Sequence, residues 1–549
     1  MMKKNVFGAI LLALAGFGLS LTSCSSPAKM AKYPEMVTVA CTPQILEVVA
    51  DVITATYSVS FAQGYFHPKA ILEIVPVLKY KDGEEVAPIM NLQGEKILDN
   101  YKVIPVSGAN AAQTLQFAYK PGMEASQLEL RLTVMDKNGN RTPYPYKTAD
   151  GANITYKLAT FGGDPVFAPD AHQAVIREQK EAQILYLVNS STVRPNELTK
   201  AEIKEFEQFL ANAQKDERRE VKNTQIIAYA SPEGPTTLND KLSTSREKSA
   251  QTAYQNATKK ILTGVDLRTT SMGEDWDGFK TLVSQSNMAD KDLILRVLEM
   301  YSDPNVRERE LRNMSKVFIT LQDKVLPDLR RARWIANVDF TNYTNAELLN
   351  MVKTNLNDMD EEALLRAGSL LEENNDKITV YKKAAEKFNS SRGYNNLAVC
   401  YLNGNDLAGA KTALGKASNQ DGYVKNNLGV VAMREKKYDE AYALLNQSNV
   451  PEAKHNMGVI DILNGKYADA AVKLVGERDH NEAVAYILTN QLDKAAFLDH
   501  PCPRGSYIRA IIAARKGNKS AWAKEMEVVN ANPSFKARAE KDIEFAKMW

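Results

Sequence analysis

The stretch from Gln225 to Lys248, Q-I-I-A-Y-A-S-P-E-G-P-T-T-L-N-D-K-L-S-T-S-R-E-K, changes its period midway and so limits what can be built around it. Ile226, Ile227 and Tyr229 open it as a short apolar strand, and Ser231-Pro232-Glu233-Gly234 ends that strand with a Pro/Gly turn. After Asn239, a good helix-starting residue, Leu242, Ser249, Ala250, Ala253 and Ala257 recur on one helical face. Strand, polar loop and helix in succession belong to α/β packing. A loop backed by a helix N-terminus, with the Arg246 guanidinium about two turns in, suits a carboxylate ligand. Backbone N–H groups and the helix dipole favour negative charge there, and arginine offers a two-pronged fork.

At these residues the stretch resembles the OmpA-like (peptidoglycan-associated) domain, in a variant of the Bacteroidetes type. That family's signature is a strand ending G-[YH]-T-D, then a glycine, then N-x-x-L-S-x-x-R-A at the head of a helix. Ala228-Tyr229-Ala230-Ser231 stands in place of G-Y-T-D and Gly234 matches the glycine. Asn239, Leu242, Ser243 and Arg246 match the helix motif without a gap. The resemblance implies peptidoglycan as ligand, because the Asp and the Arg of the family motif hold the diaminopimelate of the wall peptide. Arg246 carries over directly; Ser231 stands where the family has Asp, and Glu233 is the nearby carboxylate available to replace it. Arg246, Ser231, Glu233 and Asn239 are therefore the candidate ligand-binding residues. The likeness spans about residues 180 to 340. Asn189-Ser190 with Arg194 to Leu198 resembles the first-strand pattern, Leu267 to Trp276 the third strand, and Leu329 to Val338 the closing one.

The whole chain has 549 residues, which the usual domain size divides into three or four domains. With 69 basic against 67 acidic residues, no global field points to nucleic acid. Residues 1–23 read as a lipoprotein signal peptide: Lys3 and Lys4, an apolar run from Val6 to Leu21, then Leu21-Thr22-Ser23-Cys24. The last four resemble a lipobox, which implies cleavage before Cys24, acylation (palmitate among the acyl groups) and anchoring in the outer membrane. Residues 24–37 form a polar tether without an acidic run, which favours the periplasmic face over the cell surface.

The expected fold class is multidomain α+β. Residues 38–160 predict an antiparallel β-sandwich, from short strands such as Thr56 to Phe61, Ile71 to Leu78, Leu128 to Val134 and Ile154 to Leu158 with turn clusters between them. Residues 165–340 form the α/β OmpA-like domain. It is expected to begin with a helix near His172 to Lys180, and Thr199 to Glu202 has the form of a capping box for the next helix. Ile203, Phe206, Leu210 and Ala213 make that helix's buried stripe, and Ile294, Val297, Leu298 and Tyr301 mark a helical insertion over about 277–325.

Residues 345–549 are helical throughout and carry a repeat. It reads Asn396-Leu-Ala-Val-Cys to Ala410, Asn427-Leu-Gly-Val-Val to Ala441, Asn456-Met-Gly-Val-Ile to Ala470, with a degenerate copy ending at Ala495. Its period of about 30 residues resembles tetratricopeptide repeats, shortened. Gly429, Gly458, Ala441 and Ala470 let paired helices approach, and such arrays present a concave face to protein partners.

No catalytic constellation is visible: no GxSxG, HExxH or phosphate-cradling glycine loop occurs, and no cofactor is expected. His67, His172, His455, His480 and His500 are scattered singly, Cys41, Cys400 and Cys502 read as buried thiols, and no metal site is expected. Glu274, Asp275 and Asp277 make an acidic cluster at a strand exit. The reading is a non-enzymatic outer-membrane lipoprotein that associates with peptidoglycan and scaffolds partner proteins through its repeats. The alternatives are a scaffold of a secretion or surface-assembly complex that does not bind the wall, or the anchor of a surface fibre.

Overall fold

The computed structural model describes residues 26–549 apart from 137, 140 and 263, so the signal segment and Cys24 lie outside the described residues. The molecule is of mixed α+β class and divides into two compact units: Met1–Ala168 with Tyr381–Trp549, and Pro169–Val380. No helix among the described residues is long and apolar enough to cross a membrane.

The first unit opens with two 3-10 turns, Pro27–Lys32 and Pro34–Met36, the first of which buries Met30 in the core where only a polar tether is expected. It continues with β1 (Val37–Thr42), β2 (Ile45–Val49), β3 (Val52–Phe61), β4 (Ile71–Tyr80) and β5 (Gly83–Val86). Next come β6 (Met90–Gly94), β7 (Lys102–Ile104), β8 (Ala109–Ala118), β9 (Gln127–Met135) and β10 (Arg141–Asn153). All ten join one sheet in the order β1-β3-β2-β10-β9-β4-β6-β7, with β8 on β3 and β5 on β4. Alternate residues of β3 and β9 are buried, as a sheet with one face on a core requires. The pairing is antiparallel except at β2/β10 and β6/β7, which are parallel, so residues 38–160 form one mixed sheet where a wholly antiparallel sandwich is expected. Two segments differ from the sequence reading. Thr155–Leu158 is a 3-10 turn rather than a strand. β10 is a long strand despite Pro143 and Pro145, because there it pairs only with β9 and the missing N–H groups cost no second ladder.

The second unit contains β11 (Val175–Leu185), α1 (Ala201–Lys215), β12 (Arg219–Ala230), α2 (Thr236–Thr258) and β13 (Leu267–Glu274). It continues with α3 (Trp276–Gln285), α4 (Lys291–Met300), α5 (Pro304–Asn313), α6 (Ser315–Lys324), α7 (Leu326–Leu329) and β14 (Arg331–Thr341). Then follow α8 (Asn345–Thr354) and α9 (Glu361–Leu370). Its four strands run β11-β14-β12-β13, with β12 parallel to β13 and the other pairs antiparallel. Residues 175–185 are strand where a helix is expected near 172–180, since they pair with β14 along their whole length.

The stripe Ile203, Phe206, Leu210 and Ala213 on α1 is buried as its spacing predicts. Lys200, not Thr199, occupies the N-cap of α1 and makes no side-chain cap bond, so the capping box is not formed. Phe206, Tyr254 of α2 and Trp334 of β14 pack ring on ring, with centroids 5.2–6.3 Å apart. The segment between β13 and β14 is helical, with its own small core of Phe279, Val283, Ile294, Leu298 and Leu321.

The chain returns to the first unit within α10 (Asn374–Phe388). The repeat pairs are α11 (Ser391–Asn403) with α12 (Leu407–Lys416), α13 (Gly422–Arg434) with α14 (Tyr438–Leu445), and α15 (Pro451–Leu463) with α16 (Tyr467–Lys473). After them come α17 (His480–Leu488), α18 (Pro503–Arg515), α19 (Lys519–Ala531) and α20 (Pro533–Ala539). A Cβ on Gly429 or Gly458 would lie 2.7 Å from Leu445 or Leu474 respectively, so these glycines permit the close helix pairing. The β domain and the repeats share one hydrophobic core. Buried polar contacts join them as well: Asn153 Nδ2 and Thr155 Oγ1 donate to Glu544 at 2.7 and 2.9 Å, and Glu544 also receives the Arg515 guanidinium.

Candidate functional site

β12 lies inside the four-stranded sheet and delivers Ser231 to its end, where the chain turns into α2. The helix starts at Thr236, three residues before Asn239, so Asn239 sits in its first turns and not at its cap. The inward face of α2 is Asn239, Ser243, Arg246, Ala250, Ala253 and Tyr254. Leu242 and Ser249, expected on the buried face, are only half-buried. The first two turns thus bury polar side chains, each of which must find a partner.

Arg246 finds its partners in its own backbone. Nε donates to Ser190 O at 3.0 Å, Nη1 to Tyr229 O at 3.0 Å and Nη2 to Leu187 O at 3.2 Å. The guanidinium lies 5.1 Å from the Tyr186 ring centroid, and the residue is 1% exposed. Burial pushes its pKa down to about 10, which still leaves it charged at neutral pH. It therefore ties the end of β11 and the end of β12 to α2, and it does not present an open fork to a ligand. Replacing Arg246 with alanine is expected to lower the stability of this unit by about 2–3 kcal/mol, because three carbonyls lose their donor. Urea denaturation followed by near-ultraviolet circular dichroism measures this; an unchanged midpoint would remove the structural role.

Ser231 and Glu233 are also engaged. The Glu233 carboxylate takes Arg330 Nε at 2.6 Å and Nη2 at 3.1 Å, together with the Ser231 hydroxyl. Burial alone would raise this carboxyl, but the hydrogen bonds from Arg330 and Ser231 hold it below its ordinary value. Asn239 Nδ2 donates to Gly234 O at 2.9 Å and to Glu274 Oε1 at 2.8 Å. Ser231, Glu233, Asn239 and Arg246 do come together at one corner, and each is paired within the chain.

Beside that corner, Tyr229, Glu274, Asp275, Trp276, Arg331 and Arg333 help to line a cleft of about 630 Å³. Asp275 caps α3 through Gly278 N at 2.8 Å and accepts from Arg331 at 2.7 Å. Glu274 is pushed up by burial, which the Asn239 and Trp276 hydrogen bonds offset only in part. The acidic cluster is thus partly neutralised by its neighbours, and Arg333 is paired with Glu181 at the same rim.

The repeats carry a more regular arrangement. The repeat helices hold the chain's own segment from Thr160 to Ala168, gripped by the repeating asparagines. Asn396 Oδ1 accepts from Ala168 N at 2.7 Å, while its Nδ2 donates to Ala168 O at 3.0 Å. Asn427 holds Val166 in the same way at 2.8 and 2.8 Å, and Asn456 holds Asp164 at 2.7 and 3.1 Å. Asn481 Oδ1 accepts from Thr160 N at 2.7 Å. The grip falls on alternate residues 164, 166 and 168, as an extended strand presents them. Asn395 and Asn426 add bonds to Val166 O and Asp164 O, each at 3.1 Å. Only backbone groups are read by these amides.

The residue before each ladder asparagine runs Asn395, Asn426, His455, His480. His455 Nδ1 lies 2.7 Å from Asp164 Oδ2, and its Nε2 lies 2.9 Å from Asp479 Oδ2. At Gly163, with φ +69°, a Cβ would come within 3.0 Å of Met433 Sδ, so the segment passes too close to α13 for a larger residue. The ladder's signal was present in the sequence, because Asn396, Asn427 and Asn456 open the three repeat copies. Two histidines and a cysteine read as unrelated are also neighbours: ligand atoms of His480, His500 and Cys502 all lie within 4.8 Å of one another.

No family model matches the chain, and no curated protein matches it. Among solved structures, a tetratricopeptide repeat protein from Parabacteroides merdae aligns at TM-score 0.28 and 12% identity, covering 36% of this chain and 91% of that one. The E. coli alpha-2-macroglobulin in its native conformation aligns at TM-score 0.13 and 11% identity, over 80% of this chain and 26% of that one. The Salmonella alpha-2-macroglobulin reacted with methylamine aligns at TM-score 0.13 and 11% identity, over 83% and 27%. Scores this low carry no argument about fold or function.

Proposed function

We propose that this protein is a lipid-anchored scaffold of the outer-membrane envelope that does not grip peptidoglycan through Arg246. The observation that carries the reading is the guanidinium of Arg246, buried and bonded to the carbonyls of Leu187, Ser190 and Tyr229. A wall-binding pocket needs that cation free to meet a carboxylate, and here the cation braces the sheet. The OmpA-like character of the second unit draws support from three segments: those that resemble the second, third and closing strands lie largely in β12, β13 and β14 of one sheet, whereas Asn189-Ser190 and Arg194 to Leu198 follow β11 in irregular structure. Cys24, with its acyl groups, is the anchor in this reading, and the periplasmic face is the side the tether favours. Partner proteins meet surfaces of the repeats other than the one covered by residues 160–168.

Sedimentation of the full chain with purified peptidoglycan tests the proposal. Wild type and Arg246→Ala are both expected to stay in the supernatant, beside a wall-binding protein that pellets as control. Pelleting of wild type with peptidoglycan would overturn the scaffold reading and restore association with the wall.

A further inference from the structure

The position before each ladder asparagine faces the 160–168 segment in three repeats: Asn395 reaches Val166, Asn426 reaches Asp164, and His455 meets the Asp164 carboxylate. In the fourth, His480 meets a cysteine: Cys502 Sγ lies 3.3 Å from His480 Nε2. The His500 ring packs edge-on to His480 with centroids 5.2 Å apart. We propose that His480, His500 and Cys502 form a three-ligand site for a borderline-soft divalent metal ion of the zinc class.

The chemistry of the donor set fits such an ion. Two imidazoles and one thiolate suit zinc and exclude the hard, oxygen-seeking magnesium and calcium. Tetrahedral zinc, at about 2.3 Å from sulfur and about 2.0–2.1 Å from nitrogen, places those two donors about 3.6 Å apart. The sulfur and Nε2 already lie 3.3 Å apart, and all three ligand atoms fit within 4.8 Å. Small side-chain shifts would bring the three onto one ion.

Cys502 is the N-cap of the thirteen-residue helix α18, and its sulfur accepts the Gly505 N–H at 3.2 Å. His480 opens the neighbouring helix α17, so two packed helices fix two of the ligands. His500 is exposed, which gives an ion a path in and leaves a fourth position for water. Cys41 and Cys400 are buried and lie outside the cluster, so the thiol at issue is a single one.

The test uses the full chain stripped with a chelator, then loaded with zinc(II) or cobalt(II) and freed of excess ion by gel filtration. Wild type is expected to retain one equivalent of zinc and, with cobalt, to show a thiolate-to-metal charge-transfer band in the near ultraviolet. Cys502→Ser is expected to lose the band. His500→Ala, which alters an exposed side chain, is expected to weaken zinc binding by at least roughly 100-fold, since losing a mere supporting contact to a ligand already costs about 10–100-fold. Circular dichroism confirms that each variant is folded. Zinc retention by wild type no greater than that of the variants, or a cobalt band that survives Cys502→Ser, would overturn the site.

Discussion

Replacing Asn427 and Asn456 together with alanine is expected to loosen residues 164–166 from the repeats and to cost about 4 kcal/mol of local stability. The two amides make four bonds to the segment, to N and O of Val166 and of Asp164. They also brace the ladder sideways, Asn427 Nδ2 to Asn395 Oδ1 at 2.9 Å and Asn456 Nδ2 to Asn426 Oδ1 at 3.1 Å. Both asparagines are fully buried, so alanine leaves the N–H groups of Asp164 and Val166 and the neighbouring amides without partners instead of returning them to water, while the two carbonyls keep Asn426 and Asn395. Amide hydrogen exchange reads the effect at Asp164 and Val166, whose protection is expected to fall by about three orders of magnitude. Ala168, gripped by the untouched Asn396, gives an internal reference. Unchanged protection at 164 and 166 would mean that packing alone holds the segment in place.

The ladder also shows where sequence reasoning reaches and where it stops. Apolar periodicity places the α1 stripe correctly, because Ile203, Phe206, Leu210 and Ala213 are buried for the ordinary reason that they are apolar. The same rule fails on α2, whose inner face is Asn239, Ser243 and Arg246, polar residues buried because each meets a fixed partner. A hydropathy pattern assigns such residues to the surface, and Arg246 then looks like a free cation. The repeat was legible from its glycines and alanines, and the asparagines that open each copy were visible too. Their role was not, since it depends on a segment more than two hundred residues away in sequence. β10 escaped for a similar reason: Pro143 and Pro145 argue against a strand until the one-sided pairing is known. His480, His500 and Cys502 follow no familiar ligand spacing, and only the stacking of α17 against α18 makes them neighbours.

Raising the pH from about 6.5 to about 10 is expected to weaken the same grip, through His455. Its imidazole is 7% exposed and lies between the Asp164 and Asp479 carboxylates. Burial alone would lower its pKa, but the two carboxylates, Asp164 close to Nδ1 and Asp479 hydrogen-bonded to Nε2, outweigh that and raise it from 6.5 to about 10. Below about 6.5 the folded and unfolded chains both carry the proton, and the ion pairs contribute in full. Between about 6.5 and 10 the unfolded chain gives up its proton while the folded chain keeps it, so folding takes up a proton and stability falls as the pH rises. Above about 10 the folded imidazole is neutral and the contribution is gone.

The full swing should be about 3 kcal/mol, less than the pKa difference alone would give, because Asp164 is mostly exposed and water screens its charge. His455→Gln keeps a polar side chain at that position and removes the titration. Urea denaturation of wild type and variant at steps across this range should show the wild-type advantage shrinking as the pH climbs, with the other titrating groups cancelling between the two proteins. Parallel profiles would show that His455 is neutral in the folded chain. Asp164 would then be held by Asn426 and Asn456 alone, through its backbone, and the charge on its side chain would be irrelevant to the grip.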